Sequence, residues 1–320
     1  MSRIFTTEEL SFAIRNFFAD NQSISICSTP LEEVVFEDPA QVALENIITK
    51  YDTEAVTKAR LEPRVPAGES KPIYRSEKRV QEYVHISDLH LPFHVASWVD
   101  EIIDEHSFKG KILIINGDFL DCHDVSSFPK SKAVGLNNEV TLAKALLREW
   151  SKRFEKIYLV AGNHEKRMAT YIRKRISPEV VALVEDDILK NIVDDLKLKN
   201  LVYMAGDTTN WYAQIDNVIV CHPNDYKRSN SGILHTATFA LPYFEAYHPD
   251  ANVFIMAHTH HLGVGIFRGK VISESGCLCQ QQDYAASGNL SYTPQARGYV
   301  TFKSINNKVT FNDIRLHYLG

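Results

Sequence analysis

Residues 112–121 read Ile-Leu-Ile-Ile-Asn-Gly-Asp-Phe-Leu-Asp. Four large apolar residues in a row suit a strand covered on both faces, because a strand with one wet face would alternate. The run then stops at Asn-Gly-Asp, a turn signal made of potential ligands. The same pattern recurs four times. Tyr83-Val84-His85-Ile86 leads into Ser87-Asp88-Leu89-His90, and Ile157-Tyr158-Leu159-Val160 into Ala161-Gly162-Asn163-His164-Glu165. Val218-Ile219-Val220 leads into Cys221-His222-Pro223, and Val253-Phe254-Ile255-Met256 into Ala257-His258-Thr259-His260-His261. Between the second and third runs, Thr141 to Phe154 places Leu142, Ala145, Leu146, Trp150 and Phe154 at helical spacing. Buried strands alternating with helices predict an α/β fold.

Ligands of open α/β sheets bind beyond the carboxyl ends of the strands. Here five strand ends deliver Asp, Asn or His, and adjacent strands would bring these groups together. Carboxylates cannot crowd into one site while ionised unless a counter-charge joins them. Imidazole and carboxylate donors suit Mn, Fe or Zn. The candidate donors Asp88, His90, Asp118, Asn163, His222, His258 and His260 exceed the needs of one ion. Two ions sharing a carboxylate, about 3.5–4 Å apart, can clamp a phosphoryl group and activate water. Any one short pair is weak evidence, since strand-end Asp and surface His are common. The ordered set of five carries the reading.

The set resembles that of the calcineurin-like metallophosphoesterases, whose pattern is DxH, GDxxD, GNH(D/E), a lone His, then GHxH. Here these are Asp88-x-His90, Gly117-Asp118-x-x-Asp121, Gly162-Asn163-His164-Glu165, His222 and Ala257-His258-x-His260. The resemblance covers roughly residues 81 to 280. It implies a four-layer α/β/β/α sandwich of two mixed sheets with the metal site at the strand carboxyl ends. It also implies that Asp88, His90 and His260 hold a first metal ion, that Asp118 bridges, and that Asn163, His222 and His258 hold a second. His164 would be the catalytic acid, oriented by Asp121, and a bridging hydroxide would attack phosphorus in line. Bottom-up chemistry agrees in part: His is a suitable acid near neutral pH, and a carboxylate partner would fix its tautomer and favour its charged form. The expected cofactors are two divalent ions, Mn²⁺ foremost, with Fe²⁺ and Zn²⁺ as alternatives in thiolate-free coordination.

Three positions depart from the family pattern. Ala257 replaces Gly; Ala is small and should be tolerated unless the position needs positive φ. Cys122 and Ala161 stand where the protein Ser/Thr phosphatase branch has Arg. Those arginines grip a phosphomonoester by charge-assisted bonds, so their replacement favours a phosphodiesterase acting on a nucleotide or nucleic acid. A phosphomonoesterase, including a protein phosphatase, is the alternative activity. A non-catalytic scaffold of this fold is the alternative class, disfavoured because every motif position is filled.

The composition frames this reading. The chain of 320 residues carries a net charge of −5, with 44% hydrophobic and 23% charged residues. This excludes global disorder and bulk electrostatic binding of nucleic acid or anionic membrane. Histidines number 13 and cysteines 5, which tilts metal chemistry towards imidazole. Cys27, Cys122, Cys221, Cys277 and Cys279 show no CxxC spacing. That is no disulfide framework, and it fits a reducing compartment. With no membrane-length apolar run and an acidic N-terminal stretch unlike a signal peptide, a cytoplasmic protein without a membrane partner is expected.

The first part of the chain has another texture. Thr6 and Glu9 offer a capping box for a helix carrying Leu10, Phe12, Ile14, Phe17 and Phe18, and a second helix is predicted around 39–51. Pro63, Pro66, Gly68 and Pro72 then break the pattern. Residues 1–78 are therefore expected to form a small helical appendage and linker, and 79–320 the metallophosphoesterase domain.

Other residues near the motifs are weaker candidates. Lys166, Arg167, Arg173, Lys174 and Arg175 interleave with Met168, Tyr171, Ile172 and Ile176, which predicts an amphipathic helix with a solvated basic face. A phosphate track is the rival reading. Arg167, Lys227 and Arg228 are the candidates for substrate phosphate. His94 and His123 read as surface or packed residues. His261 is set apart from the ligands, because neighbours on a strand point to opposite sides. Cys122 and Cys221 read as small buried residues. Glu274 to Cys279 reads as a loop near the site without assigned chemistry.

Overall fold

In the computed structural model, residues 73–107, 110–126, 134–181, 183–204, 211–223, 232–281 and 295–320 are described. Their strands form two sheets of six. The first sheet contains β2 (Val80–Ile86), β3 (Lys111–Asn116), β4 (Lys156–Val160) and β5 (Leu201–Tyr203), all parallel. It is completed by antiparallel β11 (Gly298–Ile305) and β12 (Ile314–Tyr318). The second sheet runs β1 (Ile73–Tyr74), β6 (Tyr212–Ile215), β7 (Val218–Cys221), β8 (Val253–Met256), β10 (Lys270–Ser275) and β9 (Leu262–Phe267). Both sheets mix parallel and antiparallel pairs.

The apolar runs behave as strands covered on both faces. Ile112 and Ile114 of β3 pack with Val218, Val220, Val253 and Ile255 in the core between the sheets. Leu113 and Ile115 point the other way. They meet Val99, Ile102 and Ile103 of α1 (Ala96–His106), Ala143, Leu147 and Trp150 of α2 (Leu136–Trp150), and Ile188, Leu189 and Ile192 of α5 (Ile188–Leu196). Two short helices, α3 (Lys166–Arg173) and α4 (Pro178–Val181), precede α5. On the second sheet, Ile219, Phe254 and Ile272 pack under Ala237, Leu241 and Phe244 of α6 (His235–Tyr247). The result is the four-layer α/β/β/α sandwich. Period-two alternation places each residue of a strand in one of two cores, and this explains why the sequence runs are apolar throughout.

Some details differ from the sequence reading. The helix expected from Thr141 begins at Leu136, and its buried stripe is Glu139, Ala143, Leu147 and Trp150. Ala145 is exposed, so the face is rotated by about one residue. Ile73 and Tyr74, placed in the expected linker, pair with Gln214 and Ile215 of β6. Ser76 adds a backbone N–H bond to Asp216 at 2.9 Å. The two helices expected within residues 6–51 lie outside the described residues. Among the described residues, no helix is long and apolar enough to cross a membrane.

Candidate metal centre and active site

Every candidate donor sits just past a strand end, and the turns there are strained. Asp88, His90, Asp118, His258 and His260 all have positive φ, between 47° and 78°. Non-glycine residues avoid this region, and each such residue stores on the order of 1 kcal/mol or more. Strain of this kind persists where the surroundings impose it, and here backbone bonds do so. Asp88 N donates to Gly117 O at 3.2 Å, and His90 N to Asp118 O at 2.9 Å, so the first two motifs form one ladder. Gly117 lies against His222: a methyl on it would stand 2.3 Å from His222 Nδ1. Ala257, the departure from Gly, has no positive φ and donates its N–H to Cys221 O at 2.9 Å, so it is accommodated.

The donors converge. Nε2 of His90 lies 3.3 Å from Nε2 of His260, which lies 3.2 Å from Oδ1 of Asp88. That buried oxygen makes no hydrogen bond. Asp118 Oδ2 stands 3.3 Å from His222 Nε2 and 3.7 Å from His90 Nε2, between the two groups. Asn163 Oδ1 is 3.1 Å from His222 Nε2. His258 packs its ring against His222 and joins Asp118 and His222 in a donor cluster within 4.8 Å. His222 Nδ1 faces Asn116 O at 2.9 Å, which fixes Nε2 towards the site.

The charges show why a cation fits. His260 and His222 hold Asp88 down to about 2 against the cost of burial. Burial opposes a charge on His90, yet its bond to Asp121 and the acidic groups around it push it up to about 10. His222 rises to about 9, its burial outweighed by Asp118 and Asp88. The buried carboxylates thus recruit protons onto imidazoles as counter-charge. A divalent ion would replace those protons, since ligand His must be neutral on its metal-facing nitrogen. Donor separations near 3.3 Å, an orphaned buried carboxylate oxygen and a His-Asp-Asn donor set all suit such an ion.

His164 and Asp121 lie beside this cluster. His164 Nδ1 is 3.0 Å from both the backbone oxygen and Oδ1 of Asp121. Burial lowers the His164 pKa; Asp118 and Asp121 pull it upward, as a carboxylate partner should, but burial outweighs them. Arg167 is not on a solvated face. Its Nη2 sits 2.7 Å from His164 Nε2, and its Nη1 donates to Asp121 O at 2.9 Å. Of the rest of the basic run, Arg173 pairs with Asp186 and Arg175 stacks on Tyr171, while burial lowers the Lys166 pKa and Glu165 and Asp118 of the site pull it upward. Lys227 and Arg228 lie outside the described residues.

Sequence reasoning did not single out Glu139 and quoted Glu165 only as the last residue of its third motif, without a role. Glu165 is buried and accepts from the N–H groups of Asp118, Leu120 and Gly162 at 3.2, 2.9 and 2.8 Å. Glu139 does the same for Cys122 and His123 at 2.6 and 2.9 Å. The signal for Glu139 was present: it lies four residues before Ala143, on the apolar stripe of α2. His123 Nδ1 is 3.3 Å from Asp121 Oδ2, so it is a neighbour of the site. His94 is half-buried, and its backbone bridges to Cys279. His261 faces Glu274 Oε2 at 3.3 Å, turned from His260. Cys122 and Cys221 are buried. Cys279 Sγ lies with a ring nitrogen each of His90 and His260 in a group whose atoms are within 4.8 Å of one another.

A family model described as calcineurin-like phosphoesterase matches residues 82–262. No curated protein matches the chain. Among solved structures, the chain is similar to a predicted phosphoesterase from Streptococcus pneumoniae at 11% identity, covering 75% of this chain and 98% of that one, with a TM-score of 0.32. It is similar at 11% identity to wild-type Vps29 complexed with Zn²⁺ from Entamoeba histolytica, covering 75% and 98%, with a TM-score of 0.36. A protein described as a novel archaeal phosphodiesterase shares 15% identity, covering 75% and 100%, with a TM-score of 0.39.

Proposed function

The chain belongs to the calcineurin-like phosphoesterase family, and we propose that it hydrolyses a phosphodiester, in a nucleotide or nucleic acid, with two divalent metal ions. The observation that carries the diester reading is the state of the cationic side chains at the site. Where a monoesterase branch places arginines, this chain has the buried residues Cys122 and Ala161. Arg167, the guanidinium that does reach the site among the described residues, is engaged with His164 and Asp121. A dianionic monoester calls for more exposed positive charge than this; a monoanionic diester calls for less.

Asp88, His90 and His260 would hold one ion, Asn163, His222 and His258 the other, with Asp118 between. The ions supply charge stabilisation for the phosphoryl group and an activated water. The protein's own residues handle orientation and the leaving-group proton. Asp121 accepts from His164 Nδ1–H and fixes the ring. In the neutral ring Nε2 then carries no proton and accepts from Arg167 Nη2. To act as the acid it must first take a proton from solvent, in the place now held by Arg167 Nη2, and then pass it to the leaving oxygen. Glu165 holds the backbone of Asp118 and Gly162 in register throughout.

The test compares bis(p-nitrophenyl) phosphate with p-nitrophenyl phosphate, with added Mn²⁺. The expected result is a higher kcat/KM on the diester. A strong preference for the monoester refutes the diester reading and leaves a phosphomonoesterase.

A further inference from the structure

Resting on the metal-centre reading above, we propose that Cys279 Sγ is a further donor to the ion held by His90 and His260. This makes that position nitrogen- and sulfur-rich, better suited to Zn²⁺ or Fe²⁺ than to Mn²⁺. Sγ and one ring nitrogen from each histidine lie within 4.8 Å of one another, and all three residues are buried. The two Nε2 atoms stand 3.3 Å apart. Two nitrogens bound to one tetrahedral ion at about 2.0–2.1 Å are separated by about 3.4 Å.

The backbone shows that this placement is built. Past β10 the chain runs alongside the loop that carries Asp88 and His90. Leu278 N donates to Asp88 O at 3.2 Å, Val95 N to Leu278 O at 2.9 Å, and Gln280 N to Phe93 O at 2.8 Å. Cys279 is therefore clamped on both sides to the first ligand loop. Gln295 adds an independent sign. Its Nε2 donates to Cys279 Sγ at 3.8 Å and also contacts His260 Nδ1. An N–H aimed at sulfur is the support that a metal-bound thiolate receives; the contact with His260 Nδ1 is no such support, because an NH₂ group cannot accept the N–H that a ligating imidazole donates. Cys277 differs, because its Sγ is directed at Ala296 O at 3.7 Å.

The experiment uses the full-length chain loaded with two equivalents of Co²⁺ or Zn²⁺, so that both positions are filled. The Co²⁺ protein should show a near-ultraviolet thiolate-to-cobalt charge-transfer band, lost in C279S and kept in C277S. Bound cobalt without this band, or a band surviving in C279S, overturns the proposal. Zinc-edge X-ray absorption on the unmodified chain gives the same answer without a variant. One sulfur at about 2.3 Å per two zinc ions is expected, and a purely nitrogen and oxygen environment at about 2.0–2.2 Å overturns it. C279S should weaken Zn²⁺ binding by about ten- to hundredfold and Mn²⁺ binding by less than about threefold. Equal losses for both ions refute the selectivity. A chain that binds neither ion refutes the metal centre itself, and the proposal falls with it.

Discussion

Replacing Glu165 by Gln probes how one buried carboxylate sets the geometry of the metal ligands. Its Oε2 accepts from Gly162 N at 2.8 Å and Asp118 N at 3.2 Å, and its Oε1 from Leu120 N at 2.9 Å. The residue is 3% exposed. Glutamine keeps the volume but turns one acceptor into a donor. In its better orientation the amide oxygen serves Asp118 and Gly162, and the NH₂ group confronts the Leu120 N–H. At least one buried amide is then orphaned, at a cost of about 1–3 kcal/mol. Glu165→Ala orphans all three and leaves a cavity, so its loss should reach about 3–5 kcal/mol. Burial, with Asp118 adding to it, raises the Glu165 pKa to about 7. The comparison therefore belongs above pH 8, where the carboxylate is ionised. Urea unfolding of the metal-free proteins reads the stability, and competition with a chelator reads the metal affinity. In E165Q the displaced amide is that of Leu120, two residues from Asp118, and in E165A those of Asp118 and Gly162 are displaced as well, so metal affinity should fall about tenfold in the first and up to about a hundredfold in the second. An E165Q protein within about 0.5 kcal/mol of the parent, with unchanged metal affinity, would refute the positioning role.

Three further outcomes follow from the same geometry. A methyl at Gly162 would stand 2.1 Å from Asp118 Oδ1 and 2.3 Å from Asp118 N, so Gly162→Ala should cost about 1–3 kcal/mol and lower metal content in elemental analysis; full occupancy in a normally stable variant contradicts this. His164→Ala should retain metal while turnover falls about 10²–10⁴-fold, and an unchanged rate removes it as the acid. Glu139 is raised to about 7, chiefly by burial, from an ordinary 4.5. The sign follows directly: the folded state holds this proton more tightly, so the stability involved is full below pH 4.5 and is lost as pH rises through 7. The difference between the parent and Glu139→Gln should therefore change between pH 5 and 8, by at most about 1.4 kcal/mol per pH unit; a difference that is flat with pH in urea unfolding contradicts it.

Much of the architecture was legible from the chain. The largely apolar runs at 83–86, 112–115, 157–160, 218–220 and 253–256 all lie in strands covered on both faces; their shortness and β-branched content are what set them apart from buried helix segments. The helix after the second run was legible as an element but misjudged in phase, since Glu139 occupies a buried position that hydrophobic patterning reads as polar. It is buried because two backbone amides at the Asp121 turn need an acceptor. Arg167 was legible only in part: it was a candidate for substrate phosphate, yet the run it belongs to read as a solvated basic face. Only the packing of α3 beside the Asp121 turn directs this one guanidinium inward.

By itself the sequence determined the strand–helix alternation and the order in which Asp88, His90, Asp118, Asn163, His222, His258 and His260 follow the strands. Those features are local: periodicity and turn residues act over a few positions. Only the tertiary structure decided which of those groups share a counter-charge, which backbone amides Glu165 and Glu139 satisfy, and that Cys279 comes within reach of His90 and His260. These are long-range matters. Cys279 lies 189 positions from His90 along the chain, and the bonds from the Asp88–His94 loop to Leu278 and Gln280 bring the two together.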